Sequence, residues 1–172
     1  MRLLAAASAL AACLAAVAAQ AEERAELPAA VEANVAEIAG MCREAEGDPN
    51  TADVVKRVDL TGDGHEDFVL FTGWAYCGGF ASLYGDREKA VAVYAGDGAG
   101  GAAEAFSDAV FDVELEEAGT AASLWLTISG AGCGKPPAPD FAHENFCERS
   151  LVWNAASRKF QYAPVSTVRM IE

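Results

Sequence analysis

Positive charge is scarce in this chain. Twelve Lys and Arg stand against 26 Asp and Glu, a net charge of −14, and histidine occurs twice. A chain this acidic is expected to be repelled by nucleic acid and by anionic lipid, which argues against a nucleic-acid partner. Nucleotide and hydrolase signatures are missing as well: there is no Gly-x-Ser-x-Gly elbow, no P-loop and no dinucleotide fingerprint. The apolar stretch Leu3 to Ala18 is short and dominated by alanine, which argues against a membrane anchor and stable insertion.

That stretch reads instead as an export signal over residues 1–21. Arg2 is its charged start, and Ala19-Gln20-Ala21 is a small-x-small cleavage site before Glu22. Leu10-Ala11-Ala12-Cys13 resembles the lipobox of bacterial lipoproteins, which would anchor the chain through Cys13, although little apolar sequence precedes that cut. Cleavage after Ala21 leaves 151 residues, 22–172, as one domain with a real core, and a net charge of −15. The expected location is periplasmic or secreted.

Four cysteines then stay: Cys42, Cys77, Cys133 and Cys147. An even count in an exported chain reads as two disulfides, with three possible connectivities. Cys133 and Cys147 bracket a proline-rich loop and are the favoured pair, which leaves Cys42 with Cys77.

The richest local signal is Asp59-Leu-Thr-Gly-Asp-Gly-His-Glu-Asp67. Asp59, Thr61, Asp63 and Asp67 occupy positions 1, 3, 5 and 9, and Gly64 at position 6 allows a sharp turn. Three carboxylates, a hydroxyl and the backbone carbonyl of His65 can converge on one hard cation. Carboxylates so close repel one another unless a cation compensates them, so Ca²⁺ is the expected cofactor. An ordinary Asp/Gly hairpin turn is the competing reading. An EF-hand is excluded, because position 12 is Leu70 inside a β-type run where that motif needs a bidentate Glu.

The loop followed by Phe68-Val-Leu-Phe71 resembles the FG-GAP/VCBS repeat, with Thr61 as its weaker ligand. The likeness runs on through Val91-Ala-Val-Tyr94, Gly96-Asp97-Gly98 and Phe106, with Gly73–Glu88 as an insertion. The resemblance implies a calcium-braced β-hairpin. In that family several copies build a propeller; one copy occurs here, so a propeller cannot close. Small exported bacterial proteins holding one such loop in a cysteine-bearing domain are the nearer likeness.

Around the loop, Leu27, Val31, Val35, Ile38 and Met41-Cys42 recur at three- and four-residue steps, predicting a helix over Glu26–Glu46. Strands are predicted at Val54–Asp59, Phe68–Thr72, Lys89–Ala95, Ala109–Leu115, Ser123–Ser129, Arg149–Asn154 and Lys159–Ala163. The predicted fold is α+β: an antiparallel sheet of about seven strands, with one N-terminal helix packed on it and two disulfides.

Trp74, Tyr76, Phe80 and Tyr84 lie among glycines and could stack on sugar rings, or simply fill a core. Cys77 with His143 could suggest a thiol nucleophile, and His143 with Cys147 a zinc pair, but oxidised cysteines serve neither. The sequence therefore points to an exported calcium-binding structural or binding module without catalysis, with a protein or glycan as partner. The other reading is a periplasmic inhibitor of a basic hydrolase such as lysozyme, steered by negative charge.

Overall fold

A computed structural model describes residues 26–171; the expected export signal over 1–21, with Cys13, lies outside them. Pro28 caps the start of α1 (Ala29–Glu44), where a fixed φ and a missing N–H cost nothing. Val31, Ile38 and Cys42 are buried along one stripe of it, while Met41, on the predicted stripe, is 40% exposed.

Eleven strands follow among the described residues. They are β1 (Asp48–Asn50), β2 (Val55–Val58), β3 (Asp67–Phe71), β4 (Tyr76–Gly78), β5 (Lys89–Gly96) and β6 (Ala102–Val110), then β7 (Asp112–Ala118), β8 (Ala121–Ser129), β9 (Phe146–Asn154), β10 (Lys159–Tyr162) and β11 (Arg169–Met170). All pairings are antiparallel. They form a four-stranded sheet in the order β2-β3-β5-β6, a second sheet in the order β10-β9-β8-β7 with β11 also on β9, and a small β1-β4 pair.

The α+β class, the N-terminal helix and the antiparallel pairing match the sequence reading, but the single sheet of about seven strands gives way to three sheets. The predicted strand Ala109–Leu115 is the end of β6 and the start of β7, broken at Phe111, where the chain passes from one sheet to the other.

Three layers result. Val31 of α1 packs on Phe68, Ala92 and Tyr94, and Ile38 packs on Val54 and Leu70, covering one face of the first sheet. Its other face, with Val69, Phe71, Val91 and Val93, meets Leu124, Leu126, Leu151 and Phe160 of the second sheet. A strand covered on both faces reads as a continuous apolar run, as Phe68-Val-Leu-Phe71 does.

Both disulfides have the favoured connectivity. Cys42–Cys77 ties α1 to β4, and Cys133–Cys147 closes the loop ahead of β9. Two disulfides suit an oxidising compartment. No helix of the described residues is long and apolar enough to cross a membrane.

Candidate metal site

The acidic loop joins β2 to β3, as the hairpin pattern requires, and is pinned between the sheets. Leu60 is buried in the main core, and the Asp59 carbonyl accepts a 2.8 Å hydrogen bond from the N–H of Ala122 at the start of β8. Gly64 holds φ at 84°, a left-handed conformation that suits glycine.

The loop wraps around the carboxylate of Asp59. Its two oxygens accept the N–H groups of Gly62 at 2.7 Å and Gly64 at 2.8 Å, and the Thr61 hydroxyl lies at 3.4 Å. Asp63, exposed at the tip, accepts the N–H of His65 at 2.9 Å. Asp67 faces inward and is fully buried. One of its oxygens accepts Leu60 N–H at 2.8 Å and Thr61 N–H at 2.9 Å; the other accepts Gly96 N–H at 3.0 Å. Burial pushes its carboxyl pKa up, the three N–H groups pull it back, and the charge of Asp63 raises it further.

The sequence-predicted ligands therefore fall into two groups. Asp59, Thr61 and Asp63 belong to the loop proper, whereas Asp67 is fully buried beneath it, its two oxygens tying Leu60 and Thr61 to Gly96. The exposed His65 ring lies against Gly98, where an added Cβ would come within 2.6 Å of it. The second glycine turn thus backs the first loop. In that turn Asp97 accepts the N–H groups of Ala99 and Gly101, each at 2.8 Å, and these bonds hold its pKa down.

The donor chemistry fits a hard cation. With the His65 ring turned to Gly98, the loop offers oxygen: two carboxylates, the Thr61 hydroxyl and the His65 carbonyl. Among the described residues no three His, Cys, Asp or Glu side chains already converge on one point.

The aromatic surface expected in Gly73–Arg87 is divided. Trp74 packs edge-on to Phe71 at 5.4 Å, and the Tyr84 hydroxyl donates to the Ile38 carbonyl at 3.0 Å, so both serve the core. Tyr76 and Phe80 are exposed. Cys77 and Cys147 are both disulfide-bonded, so neither is a nucleophile or a zinc ligand. His143 pairs instead with Asp140 at 2.6 Å on an exposed turn.

A second constellation lies on the outer face of the second sheet. Arg169 stacks 3.5 Å from the centroid of Trp125 and forks onto Glu116 at 2.6 and 3.1 Å, with Glu148 at 3.9 Å. The Trp125 indole N–H donates to Glu116 at 3.0 Å. Sequence reasoning missed this group because its members are far apart along the chain, although the alternation Asp112, Glu114, Glu116 signals a strand with an acidic face.

No protein family, curated protein or solved structure matches this chain.

Proposed function

We propose that this is an exported, calcium-binding structural or binding module of FG-GAP/VCBS-like type, without catalytic activity. The observation that carries the reading is the wrapping of the Asp59 loop. Backbone N–H groups of Gly62 and Gly64 fix the Asp59 carboxylate beside the Thr61 hydroxyl, and Asp63 stands at the tip. Asp59, Asp63, the Thr61 hydroxyl and the His65 carbonyl would hold the ion, with Asp67 stabilising the loop from beneath. A bound Ca²⁺ supplies charge compensation there and braces the β2–β3 hairpin.

The test is thermal melting with and without EDTA, then add-back of Ca²⁺ or Mg²⁺. A ligand held by the native state alone stabilises by mass action, so EDTA lowers the melting temperature and Ca²⁺ restores it better than Mg²⁺. An unchanged melt refutes the reading and leaves an Asp/Gly turn.

A specific observation also favours the inhibitor reading. Strand register puts Asp112, Glu114, Glu116 and Glu148 on one face of the second sheet. That acidic face suits a basic protein, and charge would speed the encounter. Retention on immobilised lysozyme at low salt, lost on salt addition, supports it; passage through the column at low salt argues against it.

A further inference from the structure

Strand β9 has two edges. One is taken by β8; the other is shared between β10, over Leu151–Asn154, and β11, over Cys147 and Glu148. The second cover is slight. β11 has two residues, extended by one hydrogen bond from Ile171 N–H to the Phe146 carbonyl at 3.1 Å. Its residues are exposed, and it follows an exposed 3-10 turn, Val165–Thr167. A cover of so few bonds opens at far lower cost than the core strands.

One side chain carries most of its specificity. Arg169 leaves β11, passes over β9, lies on Trp125 of β8 and reaches Glu116 of β7. An aromatic face beneath a guanidinium, with a carboxylate forked onto its N–H groups, selects arginine over lysine: an ammonium can neither stack flat nor fill the fork. Trp125 orients that carboxylate through its own N–H. Glu148 and, beside it, Glu114 add negative charge, so the face is still acidic with Arg169 in place.

We propose that the β9 edge at Phe146–Glu148, together with Trp125, Glu116 and Glu148, is a docking site for an extended, arginine-bearing segment of a partner protein, and that β11 is its resident occupant. The partner segment adds to β9 as an antiparallel strand in place of β11, and its arginine takes the position of Arg169. Backbone groups supply the strand pairing, and the Trp125–Glu116 seat supplies the choice of residue. This rests on the binding-module half of the reading above and does not depend on calcium.

The test uses the full chain and, as probe, a synthetic peptide of residues 164–172, titrated by calorimetry. A tethered occupant competes at an effective concentration of order millimolar, so the wild-type chain binds the probe weakly. Arg169→Ala vacates the seat, and the probe then binds at least about tenfold more tightly. A probe whose arginine is replaced by alanine loses that gain, as does the original probe on a chain that also carries Glu116→Gln.

Equal affinity for wild type and R169A, or equal binding of the arginine and alanine probes, overturns the proposal. If R169A does not fold, Arg169→Lys is the second variant. It keeps the charge but loses the fork, and must bind the probe several-fold more tightly than wild type; no gain overturns the proposal equally. The EDTA response of the wild-type chain is read separately, so failure of either account leaves the other standing.

Discussion

The buried carboxylate of Asp67 accepts the backbone N–H of Gly96 at 3.0 Å, joining the end of the acidic loop to the end of β5, 29 residues later. Its other oxygen holds Leu60 and Thr61. One side chain thereby fixes where the loop starts, where it ends and where the neighbouring turn begins. Position 9 of the motif is a keystone of the fold in addition to any part it plays at an ion.

Asp67→Asn tests that role. An amide turns an N–H₂ group towards backbone N–H donors and leaves at least one of them unsatisfied in the core. The expected loss is about 2–3 kcal/mol of unfolding free energy, read from urea titration followed by tryptophan fluorescence. A cost near zero would mean that Asp67 does not hold the loop.

Gly96→Ala probes the other end of the same bond. A Cβ there would run into the Glu66 carbonyl oxygen, which belongs to the backbone and cannot swing aside. The expected cost is about 2 kcal/mol or more, with the loop amides exchanging faster in hydrogen-exchange measurements. An unperturbed variant would show that this close approach is relaxed in solution.

How much of this was legible in the sequence depends on the range of the contacts involved. The hairpin around Asp59–Asp67 and the Cys133–Cys147 bridge are local, and spacing alone revealed them. Helix α1 was legible from its apolar stripe. Strand β6 was not: Ala102–Val110 mixes alanine with Glu104, Ser107 and Asp108, because much of it faces solvent, and its register shifts at Val93/Tyr94. The Arg169–Glu116 seat spans 53 residues, and no pattern at short range encodes it.

Glu148 and Glu116 give the acidic face opposite pH responses. Burial, and then the charge of Glu114, raise the Glu148 pKa; a carboxyl raised in the folded state adds stability below its unfolded pKa and loses it as pH rises through the folded value. Glu148→Gln is therefore expected to raise the melting temperature at pH 7 by roughly a degree or two, and to matter little at pH 4. The Arg169 bond lowers the Glu116 pKa, so its contribution is present above the unfolded pKa and fades as pH falls through the folded one. Paired melts of wild type and E148Q at both pH values check this, and a lower melting temperature for E148Q at pH 7 would contradict it.

The two disulfides close loops of different length, with sequence separations of 35 for Cys42–Cys77 and 14 for Cys133–Cys147. Chain-entropy arithmetic assigns about 4 kcal/mol to the longer and about 3 kcal/mol to the shorter. Paired Cys→Ala variants, compared by denaturant midpoints, should rank in that order. The opposite ranking would point to residual structure around Cys42 in the unfolded chain.

The most direct measurement is a calcium titration of the wild-type chain beside Asp63→Ala, followed by calorimetry and by melting temperature. Asp63 is exposed and its carboxylate accepts only the His65 N–H in the loop, so its removal should leave the fold intact while taking a charged donor from the tip. The expected result is saturable Ca²⁺ binding with a rise in melting temperature for wild type, and loss of both in D63A. Wild-type protein that neither binds Ca²⁺ nor changes its melt in millimolar Ca²⁺ would contradict the account at its centre.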